Sequence, residues 1–219
     1  MERESFLAEL GARLGRPRPR VAPVRAYANS ALPFADSASG ELPARFVHEL
    51  TQVSGEVVLA RSHEEVRSAL AAELRAGERI VTWARSELGS FELGDVWRDL
   101  GTRCREPSAA DFRETLLRAE VGVTAVDYAL AETGTLVLAA GPGRPRGVSL
   151  LPRLHVALVR QSQLVPRMGF TWARYRQAMP SAVHFITGPS RTSDIENDLS
   201  IGVHGPARVL VILLLEASA

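Results

Sequence analysis

From Glu56 to the end of the chain, short apolar runs alternate with stretches of helical period, and this alternation most limits the folds open to the sequence. Val57 to Ala60 reads as a strand. Ser62-x-x-Glu65 has the form of a capping box, Val66, Leu70 and Leu74 recur at helical spacing, and Arg79 to Trp83 is the next strand. Such a strand, helix, strand unit with short connections, within one sheet, requires parallel strands and a right-handed crossover. The pattern continues with a helix over part of Leu93 to Leu100 and another marked by Phe112, Leu116 and Ala119. A short strand at Val121 to Val123, a short helix at Val126 to Ala131 and a strand at Leu136 to Ala140 follow. Then come a strand at Leu154 to Val159, a helix at Phe170 to Gln177, and strands at Val183 to Ile186 and Val209 to Leu215. The predicted class is α/β with a largely parallel sheet.

Ahead of this region the sequence reads differently. Glu2 to Leu14 places Leu7, Leu10 and Leu14 at helical spacing with Phe6 alongside, which predicts a short amphipathic helix packed on another surface. Arg16 to Arg20 is RPRPR, and Pro23, Pro33 and Pro43 follow among small residues, so an extended arm is expected. That arm either touches a phosphate or an acidic partner or serves as a proline-stiffened linker. The division expected is residues 1–45 as helix and arm, and residues 46–219 as one α/β domain.

Composition removes several function classes. With 219 residues, 46% of them hydrophobic, one domain can bury a full core. A formal net charge of +1 makes no electrostatic case for nucleic acid or for an acidic membrane surface. Every basic residue is arginine, which rules out a P-loop lysine and a lysine Schiff base. Cys104 is the single cysteine, so there is no intrachain disulfide and no set of thiolates for an iron-sulfur cluster. Any such cluster belongs to a partner. The five histidines include no H-E-x-x-H, and His63-Glu64-Glu65 lacks the second histidine, so no metal site is indicated. The longest apolar run, Val209 to Leu215, is too short to span a bilayer, and no basic-then-apolar signal pattern is read in the N-terminal residues. A cytoplasmic protein without membrane contact is predicted.

Two loops carry the chemistry. His184 to Pro206, HFITGPSRTSDIENDLSIGVHGP, crowds hydroxyls, glycines, Arg191 and three acids between two apolar runs. Gly188-Pro189 ends a strand, and Ser193-Asp194-Ile195-Glu196 has the S-x-x-E form, so a helix is expected to begin near Ser193. Backbone N–H groups with the hydroxyls of Ser190, Thr192 and Ser193, the Arg191 guanidinium and nearby Gly188 and Asp194 then form a candidate cradle for a carboxylate or phosphate. The other loop is Glu132-Thr133-Gly134-Thr135, a carboxylate beside two hydroxyls and a glycine. In open α/β sheets ligands bind beyond the carboxyl ends of the strands, and both loops are expected there. Glu132 either carries chemistry or caps a helix end, and Ser190 to Ser193 either bind an anion or only close a tight turn. His204, between Gly202 and Gly205-Pro206, is either an acid, base or ligand contact or a turn histidine. Asp127 either meets a ligand or caps its own helix. The loop Gly141 to Gly147 presents Arg144 and Arg146 and is able to close over an anion. His155, inside a strand pattern, reads as a core residue, and Cys104 as a small buried hydrophobe.

The strings VGVTAVDYALAETGTLVL, LLPRLHVALVRQSQLVP and FITGPSRTSDIENDLSIGVHGP resemble the LUD domain of the lactate-utilisation protein C family, closely over about residues 119–216 and more loosely before. The resemblance implies a Rossmann-like three-layer sandwich of the NagB/RpiA/CoA-transferase type. It also implies a role as the non-cluster component, beside two iron-sulfur partner proteins, in oxidising L-lactate to pyruvate; the two loops themselves suggest a small carboxylate or phosphate as ligand. CoA transferases of the wider superfamily use a nucleophilic glutamate in an E-x-G setting, to which Glu132-Thr133-Gly134 is similar. The alternative expectation is therefore an acyl-CoA transferase-like or sugar-phosphate enzyme using Glu132.

Overall fold

A computed structural model describes residues 3–15, 41–74, 77–108, 110–175, 179–192 and 200–216. The chain forms two units, Met1–Ala35 and Asp36–Ala219. In the first, α1 (Arg3–Arg13) is helical as its leucine spacing predicts, with Glu9 and Arg13 paired at 2.8 Å one turn apart and Phe6, Leu10 and Leu14 exposed. The arginine-proline run lies outside the described residues.

The second unit runs, in chain order, through α2 (Leu42–Gln52), β1 (Glu56–Ala60), α3 (His63–Glu73), β2 (Ile80–Thr82), α4 (Gly94–Leu100), β3 (Cys104–Arg105), α5 (Phe112–Leu117), β4 (Val121–Ala125), β5 (Tyr128–Leu130) and β6 (Thr135–Ala139). It continues through α6 (Gly147–Leu150), β7 (Leu154–Arg160), β8 (Leu164–Val165), α7 (Met168–Tyr175), β9 (Val183–Ile186), β10 (Arg191–Thr192), β11 (Ser200–Ile201) and β12 (Arg208–Leu214). Ser62 caps α3 as expected, its hydroxyl accepting the Glu65 N–H at 3.2 Å. The Glu65 carboxylate reaches back to the N–H of Arg61, one residue before the cap.

The central sheet is parallel throughout, in the order β1-β12-β7-β4-β2-β3. Burial explains the order. Val209 to Leu214, Leu154 to Val159 and all of β4 are buried on both faces, the continuous apolar pattern of an interior parallel strand, whereas β1 exposes Glu56 and Leu59 and takes an edge. β1 and β2, expected as one strand, helix, strand unit, are both in the sheet but have three strands between them. Gly122 in β4 lets α6 lie directly on the sheet, because a Cβ there would sit 1.9 Å from Val148 O. His155 is fully buried in β7 with its Nε2 2.8 Å from Thr124 Oγ1 on β4, and burial pushes its pKa down to about 3, so it is a neutral core residue. Cys104 is likewise buried, with burial pushing its thiol up to about 11, which removes it as a nucleophile at neutral pH.

A second, four-stranded sheet was not apparent in the sequence. Its order is β8-β5-β6-β9, with β5 and β9 antiparallel to β6 and β8 parallel to β5. The segment expected as a short helix at Val126 to Ala131 is instead the strand β5. Tyr128 and Ala129 pair with Val137 and Leu136, and Ala129 also pairs with Leu164, so ladder bonds on both sides override the helix preference of alanine and leucine. Helix α2 packs on β1 and β8, an edge strand of each sheet, and buries Leu42, Phe46 and Leu50, four residues apart on one face. Burial of Phe46 and Leu50 stabilises by about 1.5–3 kcal/mol each, and it fixes the end of α2 on which the site is built.

Candidate functional site

Two separate segments press on the end of α2, and a third is hydrogen-bonded to one of them. The β5–β6 hairpin turns through Glu132 to Thr135, and Gly134, at φ +61, presses so closely on the helix that a Cβ would lie 2.3 Å from Leu50 N. The loop after β9 does the same from the other strand, since Gly188, at φ +78, would place a Cβ 2.6 Å from Val53 O. Both positions need left-handed backbone and a close approach, and glycine alone supplies the two together. Register joins the loops side by side. β6 and β9 pair Leu136 with Ile186, so Thr135 and Thr187 are neighbours with their hydroxyls 2.8 Å apart, and Thr133 Oγ1 lies 2.7 Å from Thr135 Oγ1. The result is a row of three hydroxyls whose middle member is 4% exposed.

The third segment, Gly202 to Pro206, is tied to Ser190. Ser190 N–H donates to Pro206 O at 2.9 Å, Ser190 O accepts from Gly202 N–H at 2.9 Å, and Ser190 Oγ accepts from His204 N–H at 3.3 Å. Two-residue pairing of β10 with β11, Arg191 opposite Ile201 and Thr192 opposite Ser200, continues this link outward. Arg191 is exposed and its Nη2 donates to Ser54 Oγ at 2.6 Å, in the turn between α2 and β1. Glu132 and His204 are also exposed, and the Glu132 N–H donates to Pro166 O at 3.0 Å. Glu132, Thr133, Gly134, Thr135, Gly188, Ser190, Arg191, Thr192 and His204 thus belong to loops gathered at one end of α2. Ser193 and Asp194, with the expected capped helix, lie outside the described residues.

The location differs from the expected one. Ser54 precedes β1 by two residues and Pro206 precedes β12 by two, so the cradle lies at the amino ends of the parallel strands. The rule for open α/β sheets fails for Gly188 because β9 belongs to the smaller sheet and is antiparallel to its neighbour. Close by, Arg208 forks onto Glu56 at 2.8 and 2.5 Å and also reaches Glu73 at 3.3 Å, locking the starts of β1 and β12 together. The Arg208 hydrogen bonds outweigh partial burial and hold the Glu56 carboxyl below its ordinary range.

Two residues that sequence reasoning weighed for ligand contact have structural partners. Asp127 accepts the Ala139 N–H at 2.6 Å and Arg144 Nη1 at 2.7 Å, while Arg144 Nε donates to Glu87 at 2.6 Å and the guanidinium stands 5.2 Å from the Trp83 ring centroid. This network pins the Gly141 to Gly147 loop to the sheet, and Arg144 is occupied by it. Conversely, Thr187 and Ser54 contact the candidate residues Thr135 and Arg191, and sequence reasoning did not single them out. The signal for Thr187 was its place directly before Gly188-Pro189, where a strand ends at the loop.

Among the described residues, no group of three or more His, Cys, Asp or Glu side chains converges as a metal site, and no helix is long and apolar enough to cross a membrane. Residues 43–214 match the LUD domain. Lactate utilization protein C from an Exiguobacterium species is 42% identical over 143 residues, a match spanning 63% of this chain and 58% of that protein. The protein of the same name from Halalkalibacterium halodurans is 31% identical over 226 aligned residues, 97% of each chain. Among solved structures, a DUF162 family protein from Deinococcus radiodurans shares the fold, with a TM-score of 0.59 at 22% identity over 81% of this chain and 99% of that one. The matched span takes in both sheets and all three converging segments, and this chain belongs to the LUD domain family.

Proposed function

We propose that this chain is the non-cluster component of a lactate-utilisation system and that its cradle binds a small carboxylate, or phosphate in its place. The observation that carries the reading is the convergence of Arg191, the Ser190–His204 link and the Thr133–Thr135–Thr187 hydroxyl row on one end of α2. An exposed guanidinium supplies charge and a fork of donors, and the hydroxyls supply further donors, which is what a carboxylate of lactate or pyruvate requires. Oxidation of a 2-hydroxy acid releases two electrons. With one buried cysteine this chain has no thiolate set to ligate a cluster that would accept them, so the electron carriers are assigned to iron-sulfur partner proteins. The relatives' shared name supports the placement in lactate utilisation. Calorimetric titration with L-lactate, pyruvate, phosphate and CoA tests the cradle, and co-purification of a cluster-bearing protein tests the partnership. No heat with any of the four and no such partner would remove this reading.

Exposure of Glu132 at a hairpin tip beside left-handed Gly134 favours a second reading, acyl transfer. The Glu132 carboxylate would attack an acyl-CoA carbonyl and expel the CoA thiolate to give an anhydride; the thiolate would then attack the glutamyl carbonyl, releasing the free acid and leaving a CoA thioester on Glu132. His204 is the assigned acid or base in this reading. Hydroxylamine or borohydride trapping followed by mass spectrometry tests it, and an unmodified Glu132 across an acyl-CoA panel would exclude it.

A further inference from the structure

The turn that leaves α2 carries a side chain where endings of this type ordinarily have glycine. Gly55 N–H bonds to Leu50 O at 2.9 Å and Ser54 N–H to Thr51 O at 3.0 Å, the two bonds of a Schellman ending. The left-handed residue of that motif is Ser54, at φ +64. Glycine comes one place later, at Gly55, where a Cβ would strike Leu50 Cδ1 at 2.4 Å, so packing explains Gly55 and does not explain Ser54, which is exposed. Left-handed backbone is unfavourable for a residue with a Cβ, and such strain gathers at functional sites.

The Ser54 hydroxyl has a specific neighbour, Arg191, whose Nη2 donates to it at 2.6 Å. A hydroxyl has two lone pairs and one O–H; the arginine occupies a lone pair and leaves the O–H to donate elsewhere. A guanidinium edge with a hydroxyl donor beside it matches two oxygens of one carboxylate or phosphate. We propose that Ser54 is an anion-contacting residue of the cradle, donating its O–H to the same oxyanion that Arg191 holds, and that serine occupies this left-handed position for that contact. This rests on the reading of the cradle as an anion site.

The test is calorimetric titration of the full chain with L-lactate, pyruvate and inorganic phosphate, with melting temperatures, for wild type, Ser54→Gly, Ser54→Asn and Arg191→Ala. Ser54→Gly is expected to melt about 1–3 °C higher, because glycine relieves the backbone, while binding the preferred anion about tenfold more weakly. Ser54→Asn, which tolerates left-handed backbone and offers amide donors, is expected to recover most of that affinity. If Arg191→Ala weakens binding but Ser54→Gly binds like wild type, the role of Ser54 is refuted and the cradle stands. If wild type binds none of the three anions, the cradle and the role of Ser54 fall together.

Discussion

Thr135 and Thr187, 52 residues apart in sequence, share a hydroxyl contact of 2.8 Å that joins the hairpin carrying Glu132 to the loop carrying Arg191. Since Thr135 is buried and Thr133 and Thr187 are exposed, Thr135 is the one member of the row that cannot exchange its partners for water. Thr135→Val keeps shape and strand preference while deleting the middle hydroxyl. Its cost in stability is expected to stay within about 1 kcal/mol, because the two outer hydroxyls turn to solvent. Anion affinity, measured by titration, is expected to fall about threefold to tenfold as the row loses its order. Unchanged affinity would detach the hydroxyl row from the ligand.

The two glycines that press on α2 predict a different signature. Gly134→Ala and Gly188→Ala each combine left-handed backbone with a Cβ under 3 Å from the backbone of Leu50 or Val53. Each is expected to destabilise by about 2–4 kcal/mol in urea unfolding. A loss under about 0.5 kcal/mol at both would mean that the loops do not sit against the helix end as described.

Arg144 and Arg191 separate a structural guanidinium from the one proposed to hold the anion. The carboxylates of Glu87 and Asp127 hold Arg144, and their side chains and its own are 18–30% exposed. Arg144→Ala leaves two partly buried carboxylates without their cation, at an expected cost of about 1–3 kcal/mol in thermal or urea unfolding. Anion affinity in the folded variant is expected to match wild type. A titration showing weakened binding would place Arg144 in the site.

His155 predicts how stability depends on pH. Its folded pKa is pushed down to about 3 by burial, below the ordinary 6.5, so above pH 6.5 both folded and unfolded chains carry it neutral. As pH falls below about 6.5 the unfolded chain takes up a proton that the folded chain refuses. Stability therefore declines by about 1.4 kcal/mol per pH unit from this residue until about pH 3. His155→Gln, which keeps a polar atom for Thr124, is expected to be less stable at pH 7 yet to show a shallower decline between pH 6 and 4. Parallel curves for the two proteins would show that His155 is protonated in the folded state.

The parts of this fold that read directly from sequence were those set by local pattern. The Ser62–Glu65 cap, the period of Val66 and Leu70, and the continuous apolar runs of β7 and β12 each specify their element without help from distant residues. Strand β5 did not read, because Tyr128 to Leu130 has helix-compatible composition and becomes a strand only by pairing with β6 on one side and β8 on the other. Strand order was equally hidden, since which strand lies next to β1 depends on the whole pattern of burial. The motif stretches stood out as candidate loops, yet their position at the amino ends of the parallel strands did not, because nothing local reveals that β9 belongs to another sheet. Ser54 was silent for a related reason. Its left-handed backbone and its contact with Arg191, 137 residues away, exist only in the folded chain.

The most direct measurement is calorimetric titration of wild type and Arg191→Ala with L-lactate, pyruvate and phosphate under one buffer condition. Arg191 contacts Ser54 at the surface and no core group in the contacts described, so the variant is expected to melt within about 2 °C of wild type. Wild type is predicted to bind at least one of the three anions, and Arg191→Ala to bind it at least about tenfold more weakly, the loss of a charge-assisted contact. Equal affinity of the two proteins for every anion, or no binding by wild type at all, would contradict the assignment of this cradle as the anion site.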